Sequence, residues 1–118
     1  MLEAPILIVD DDPNVLSTVA DILEFEGYPV IRARNGEEGL ECAQREPPRL
    51  VLLDMRMPVL DGWGFAQRLR ERGQHLPIVV MTAAQDARRW AQEIGAAGYL
   101  AKPFDIATLL ETIDRVVQ

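Results

Sequence analysis

Three short apolar runs, each bounded by residues that favour turns, punctuate the chain. They lie at 6–9, 50–53 and 78–81. Each run is continuously apolar rather than alternating, which is typical of a strand buried on both faces of a parallel sheet. Weaker strand candidates lie at 29–33 and 98–101. The pattern therefore predicts five strands.

Segments with helical periodicity separate and follow these strands. The first begins at Asp12-Pro13, an N-cap followed by proline at the first helical position, and Gly27 ends it. The last is the clearest, because one apolar stripe follows a candidate N-cap at Asp105. That stripe consists of Ile106, Leu109, Leu110, Ile113, Val116 and Val117. The other predicted helices are 36–46, 62–72 and 86–94.

The order of elements is strand then helix, repeated five times. Such alternation indicates a parallel sheet with right-handed crossovers and helices on both faces. Ligands in these α/β folds bind at the carboxyl ends of the strands. We find no linker, low-complexity tract or repeat in the sequence, so we predict one domain over residues 1–118.

Charge and composition narrow the classes of function. The net charge is −7 and no segment clusters Lys and Arg, so we expect no direct binding of nucleic acid. The apolar runs are too short to span a bilayer, and the first residues do not resemble a signal peptide. Cys42 is the only cysteine and favours a buried thiol in a cytosolic protein. We therefore expect a cytoplasmic protein that does not bind membranes.

Polar residues that follow the predicted strands should meet at one edge of the sheet. They are Asp10, Asp11 and Asp12 after the first strand, Asp54 after the third, Thr82 after the fourth and Lys102 after the fifth. Clustered carboxylates repel each other unless a cation neutralises them, and Mg²⁺ prefers oxygen ligands. We expect Asp11 to bind a metal ion and Asp12 to cap the first helix.

Asp54 has two possible roles in such a site. It could be a further ligand of a metal that acts on a separate substrate, or a nucleophile that accepts a phosphoryl group. Phosphoryl transfer also requires a fixed cation and a hydroxyl donor, which Lys102 and Thr82 would supply. Lys102 is the only Lys among twelve basic residues, and an ammonium follows phosphate oxygens as a point charge where an Arg fork would demand bidentate geometry.

Five motifs in sequence order resemble the signatures of the receiver domains of two-component response regulators. They are Ile-Leu-Ile-Val-Asp-Asp-Asp-Pro at 6–13, Leu-Asp-Met-Arg-Met-Pro at 53–58, Asp-Gly at 61–62, Met-Thr-Ala at 81–83 and Tyr-Leu-Ala-Lys-Pro-Phe at 99–104. Together they extend over the whole chain. The resemblance implies a flavodoxin-like (βα)5 three-layer sandwich, with a parallel five-stranded sheet in the order 2-1-3-4-5.

The resemblance also assigns roles to individual residues. It implies that Asp54 is the phosphoacceptor and that Mg²⁺ (or Mn²⁺) is the cofactor. The implied metal ligands are Asp11, Asp54 and the backbone carbonyl of Arg56, with Asp10 acting through water. The implied phosphate-binding and switch residues are Thr82, Tyr99 and Lys102, and the bond preceding Pro103 is expected to be cis.

The implied partners are those of a signalling switch. A histidine kinase or phosphotransfer protein would donate the phosphoryl group. The surface of the fourth helix, fifth strand and fifth helix would then change its affinity for an unknown downstream protein or for an output domain absent from this sequence. The same face could support a homodimer. Such a domain is not an enzyme acting on external substrates, because it catalyses only its own phosphorylation and dephosphorylation.

Two alternatives remain beside this interpretation. The fold could serve as a protein-binding module that works without phosphorylation. A metal-dependent phosphohydrolase of the haloacid-dehalogenase type is disfavoured, because Arg56 occupies the position where those enzymes need a second acid.

Two departures from the family pattern carry further expectations. The stretch from Thr82 to Lys102 is shorter than in typical receivers, so we expect a short or displaced fourth helix. Arg56 and Ala84 stand at positions that influence the lifetime of the phosphoryl group. We expect Arg56 either to shield Asp54 from water or to point into solvent.

Overall fold

The computed structural model describes residues 3–117, in which five strands form one parallel sheet. The strands are β1 (Ile6–Val9), β2 (Val30–Ala33), β3 (Leu50–Asp54), β4 (Ile78–Ala83) and β5 (Gly98–Lys102). Their order across the sheet is β2-β1-β3-β4-β5, and every adjacent pair is parallel. The predicted fold class and strand order are confirmed. Residues 1, 2 and 118 of the predicted domain lie outside the described residues.

A helix follows each strand. The helices are α1 (Pro13–Phe25), α2 (Gly36–Arg45), α3 (Gly62–Glu71), α4 (Ala84–Ile94) and α5 (Ile106–Val117). The expectation of a short fourth helix is wrong, because α4 has eleven residues and α3 has ten. Helix α4 begins directly after Ala83, the last residue of β4. The chain therefore has no connecting residues between β4 and α4.

The sheet separates two hydrophobic cores. On one face, alternate strand residues such as Leu7 and Leu53 pack with residues of α2, α3 and α4. On the other face, Ile8 and Leu52 pack with residues of α1 and α5. All four β1 residues are fully buried, which explains its continuously apolar sequence. The result is the three-layer arrangement that the sequence predicts.

The strand ends and helix caps place polar side chains at the carboxyl edge of this sheet. Strand β3 extends to Asp54 and β5 to Lys102, each one residue further than predicted. Asp12 caps α1, since its carboxylate accepts a hydrogen bond from the backbone N–H of Asn14 at 2.9 Å. Asp105 likewise accepts one from the backbone N–H of Thr108 at 2.7 Å. The two predicted caps are confirmed.

Candidate functional site

Three carboxylates form a cluster at the carboxyl ends of β1 and β3. One oxygen from each of Asp10, Asp11 and Asp54 lies within 4.8 Å of the other two. The strands bring them together because β1 and β3 are adjacent, with Val9 opposite Leu53. Asp10 is fully buried and Asp54 is nearly so, whereas Asp11 is exposed. The cluster therefore has a buried base and an open side.

Lys102 provides a positive charge beside these carboxylates. Its Nζ lies 2.9 Å from Oδ2 of Asp10 and 3.8 Å from Oδ2 of Asp54. The other carboxylate oxygen of Asp10, Oδ1, accepts a hydrogen bond from the backbone N–H of Asp12 at 2.9 Å. Both oxygens of Asp10 thus have partners, as a fully buried carboxylate requires.

The pKa of Asp54 is raised from 3.8 to about 6. Burial is the largest cause, and the negative charges of Asp10 and, more weakly, Asp11 act in the same direction. The Lys102 ammonium and the backbone N–H of Arg56, which lies 3.3 Å from Oδ1 of Asp54, oppose that rise. One ammonium therefore does not compensate the clustered carboxylates. Oxygen ligands and surplus negative charge fit a hard divalent cation.

The two predicted switch residues lie in different environments. Thr82 is buried near the end of β4, the strand between β3 and β5. Tyr99 of β5 is 44% exposed and borders a groove beside α4 together with Arg88. The structure thus places Tyr99 on the outer surface and not in the carboxylate cluster. The peptide bond between Lys102 and Pro103 is cis.

The side chain of Arg56 extends towards α4. Its guanidinium carbon lies 5.0 Å from the ring centroid of Trp90. Trp90 also makes an edge-to-face contact with Trp63 of α3, with ring centroids 4.8 Å apart. The indole N–H of Trp63 donates a hydrogen bond to Glu93 of α4 at 3.0 Å. Trp90 is 5% exposed, so it is a packing residue between α4 and the sheet core. The sequence did not predict these contacts.

Backbone hydrogen bonds fix the loop that carries Arg56. The N–H of Gly62 donates to the carbonyl of Met55 at 3.0 Å, which closes the loop between β3 and α3. The N–H of Gly36, at the start of α2, donates to the carbonyl of Leu60 at 3.2 Å. A Cβ atom on Gly36 would lie 2.5 Å from that carbonyl oxygen, so this close approach requires glycine. The loop backbone is therefore held at both of its sides.

Comparisons with known proteins agree with the observed fold. Residues 6–114 match the family model for the response regulator receiver domain. The chain is 36% identical to protein PilH of Pseudomonas aeruginosa, over 97% of this chain and 98% of that protein. It is 33% identical to sporulation initiation phosphotransferase F of Bacillus subtilis, over 98% of this chain and 94% of that protein. The chain belongs to the response regulator receiver domain family.

A solved structure and a longer relative add detail. The chemotaxis response regulator CheY4 of Vibrio cholerae superposes with a TM-score of 0.88 and 34% identity, over 98% of this chain and 99% of that chain. The probable transcriptional regulator ycf27 of Porphyridium aerugineum is 39% identical over 100% of this chain, which spans only 50% of that relative. The sequence of this chain therefore corresponds to a complete short relative and to half of a longer one.

Membership of the family defines the general class of activity. Receiver domains of two-component response regulators are phosphoacceptor switches in signalling, and this class agrees with the prediction from the sequence motifs. Among residues 3–117 we find no helix with the length and apolar character needed to cross a membrane.

Proposed function

We propose that this chain is one receiver domain, over residues 1–118, that accepts a phosphoryl group on Asp54 from a histidine kinase or a phosphotransfer protein. The observation that carries this proposal is the cluster of Asp10, Asp11 and Asp54, with carboxylate oxygens within 4.8 Å of one another. Lys102 lies at the same cluster, 2.9 Å from Asp10 and 3.8 Å from Asp54. These are the groups that transfer to an aspartate requires.

The proposed cofactor is Mg²⁺ or Mn²⁺. Its proposed ligands are the carboxylates of Asp11 and Asp54 and the backbone carbonyl of Arg56, with Asp10 acting through water. An indirect role suits Asp10, because both of its oxygens already accept hydrogen bonds from Lys102 and from the backbone of Asp12. When bound, the metal ion would neutralise charge on Asp54 and on the phosphoryl oxygens.

The proposed transfer uses a carboxylate oxygen of Asp54 as the nucleophile. That oxygen forms a bond to phosphorus while the bond from phosphorus to the donor imidazole breaks, and the imidazole leaves with the bonding electron pair. Lys102 stabilises the negative charge of the transferred oxygens, and the hydroxyl of Thr82 donates a hydrogen bond to one of them. Water later hydrolyses the aspartyl phosphate, so the domain turns over no external substrate.

The proposed output is a change in the surface formed by α4, β5 and α5. A phosphoryl group adds about 1.5 to 2 negative charges at the edge of the sheet, which draws Lys102 and Thr82 towards it. Tyr99 is exposed on the same surface and would follow the movement of Thr82. The proposed partner that binds this surface is a downstream protein, an attached output domain or a second copy of the chain. Some relatives have about the length of this chain, which fits a separate downstream protein, and others are about twice as long, which fits an attached output domain.

Incubation with Mg²⁺ and acetyl phosphate tests the proposed phosphoacceptor. We expect the intact mass to increase by one phosphoryl group, and base to remove it, because an acyl phosphate is labile to hydroxide. The Asp54→Asn variant keeps the shape of the side chain but removes the nucleophile, so it should gain no adduct. An unmodified wild-type protein, or an equal adduct on the variant, would show that the proposal is wrong.

Metal binding should distinguish two neighbouring aspartates. We expect Asp11→Asn to weaken Mg²⁺ binding by roughly tenfold or more, because the substitution removes a proposed carboxylate ligand. A tenfold loss of affinity corresponds to about 1.4 kcal/mol of binding free energy. Asp12→Ala should leave the affinity close to the wild-type value but lower the free energy of unfolding by about 1 kcal/mol, because the capping hydrogen bond to Asn14 is lost. Calorimetric titration of Mg²⁺ into both variants measures the difference, and equal losses of affinity would contradict these roles.

A further inference from the structure

Arg56 connects the phosphoacceptor to helix α4. Its backbone N–H lies 3.3 Å from Oδ1 of Asp54, and its guanidinium carbon lies 5.0 Å from the ring centroid of Trp90. Arg56 itself is exposed, whereas Trp90 is 5% exposed within the core beneath α4. A single residue is therefore in contact with both the proposed phosphorylation site and a helix that packs beside it.

The contact extends beyond Trp90 to a second helix. The rings of Trp90 and Trp63 are 4.8 Å apart, and the indole N–H of Trp63 donates a hydrogen bond to Glu93 at 3.0 Å. Trp63 belongs to α3, and Trp90 and Glu93 belong to α4. We call Arg56, Trp63, Trp90 and Glu93 the indole cluster. It joins the loop after β3 to α3 and α4.

We propose that phosphorylation of Asp54 detaches Arg56 from Trp90 and thereby changes the surface between α3 and α4. In the unphosphorylated protein the guanidinium is stacked on the indole ring. In the phosphorylated protein the guanidinium pairs with the phosphoryl oxygens instead. This inference rests on the proposed function of Asp54 and adds a second route by which its phosphorylation reaches α4.

Charge and bond strength favour this exchange of partners. The site already combines three clustered carboxylates with Lys102, whose ammonium contacts both Asp10 and Asp54. A phosphoryl group increases the negative charge, and a guanidinium can form two parallel charge-assisted hydrogen bonds with it. A stack of an exposed guanidinium on a neutral indole is a weaker interaction. The Arg56 guanidinium should therefore bind the phosphoryl group in preference to the Trp90 ring.

The surrounding backbone allows the side chain to move alone. Hydrogen bonds from Gly62 to Met55 and from Gly36 to Leu60 hold the loop in place. Helix α4, in contrast, begins at Ala84, and its N-cap residue Ala83 makes no side-chain capping hydrogen bond. Removal of Arg56 from Trp90 would release one of the contacts that hold α4 against this loop. The resulting change would appear at the indole cluster, where α4 contacts α3, and not in the groove that Tyr99 and Arg88 border.

The two tryptophans are the only ones in the chain, and both lie in the indole cluster, so they report on it directly. We expect acetyl phosphate with Mg²⁺ to change their fluorescence relative to Mg²⁺ alone, in proportion to the adduct seen by intact mass. In the NMR spectrum, protons of the Arg56 guanidinium should carry an upfield ring-current shift from Trp90. Phosphorylation should abolish that shift.

Two variants test whether Arg56 transmits the change. Arg56→Met removes the cation but keeps a long side chain and the backbone carbonyl, and we expect its fluorescence change per unit of adduct to fall well below that of the wild type. Arg68→Met removes a cation from the exposed surface of α3 and should behave as the wild type does. Circular dichroism checks that both variants are folded, and the NMR measurement needs no variant at all.

The mass of the adduct and the ring-current shift of Arg56 distinguish a failure of the proposed function from a failure of this inference. If wild-type protein forms no adduct, the proposed function fails and this inference fails with it. If the adduct forms but the ring-current shift of Arg56 persists, the inference alone is overturned. An equal fluorescence change in Arg56→Met and the wild type would likewise show that Arg56 does not transmit the signal.

Discussion

Replacement of Lys102 by methionine is expected to lower the free energy of unfolding of the metal-free protein by about 2 kcal/mol at pH 8. Loss of one partner of a fully buried ion pair costs about 3 to 5 kcal/mol, and the partial exposure of Lys102 reduces that cost. The substitution removes the ammonium that lies 2.9 Å from Oδ2 of Asp10, which is fully buried. Urea denaturation of the two proteins measures the difference.

A second substitution separates this electrostatic effect from a loss of packing. Asp10→Asn, added to Lys102→Met, removes the uncompensated charge but keeps an oxygen that can accept the hydrogen bond from Asp12. We expect the double variant to be more stable than Lys102→Met alone, a non-additive result typical of residues in contact. If the double variant is less stable than the single one, the cost of losing Lys102 is not due to the charge of Asp10.

Lys102→Arg keeps the positive charge and gives a different result. We expect most of the stability to be retained but phosphorylation of Asp54 by acetyl phosphate to be slower. A guanidinium has a fixed fork geometry, whereas an ammonium can turn between Asp10 and the incoming oxygens. The initial rate of adduct formation, followed by intact mass, tests this, and a rate equal to that of the wild type would contradict it.

The fold and the position of the site could be predicted because both depend on short-range patterns. The continuous apolar runs of β1, β3 and β4 identify strands buried on both faces, and parallel strands bring their carboxyl ends to one edge. The position of Asp54 after one run and of Asp10 after another therefore implied that they meet. The carboxylate distances of 4.8 Å or less agree with that expectation.

The contacts of long side chains could not be predicted in this way. Arg56 could reach the proposed phosphorylation site, solvent or a neighbouring helix, and its position in the sequence does not distinguish among them. The structure places it on Trp90, a residue of a helix distant in sequence. The start of α4 was also missed. It has no capping side chain, so Asp86 two residues further on was the only sequence signal of a helix start.

Asp54 should make the metal-free protein less stable as the pH rises. The pKa of Asp54 is about 6 in the folded protein, whereas the ordinary value for an aspartate is 3.8. Between pH 3.8 and pH 6 the folded state therefore binds more protons than the unfolded state. The stabilising effect of its protonation is complete below pH 4 and is lost as the pH rises through 6. Burial of the ionised carboxylate beside Asp10 is the physical reason.

Asp54→Asn should therefore be more stable than the wild type at pH 8 without metal, by about 1 to 2 kcal/mol. One pKa unit is worth about 1.4 kcal/mol, and solvent at the open side of the cluster reduces the full value. The difference in the free energy of unfolding between the two proteins should shrink towards pH 4. Because both proteins contain the same other acids, the contributions of those acids cancel in this difference. Urea denaturation at several pH values measures it.

Added Mg²⁺ should reverse the order of stability at pH 8. The wild type gains binding energy from an ionised Asp54 in the proposed ligand set, whereas Asp54→Asn retains only the other oxygens and gains less. Potassium chloride at equal ionic strength is the control for screening of the three carboxylates. If Asp54→Asn and the wild type gain equal stability from Mg²⁺, Asp54 is not a ligand. If Asp54→Asn is no more stable than the wild type without metal, the ionised carboxylate of Asp54 does not destabilise the folded protein.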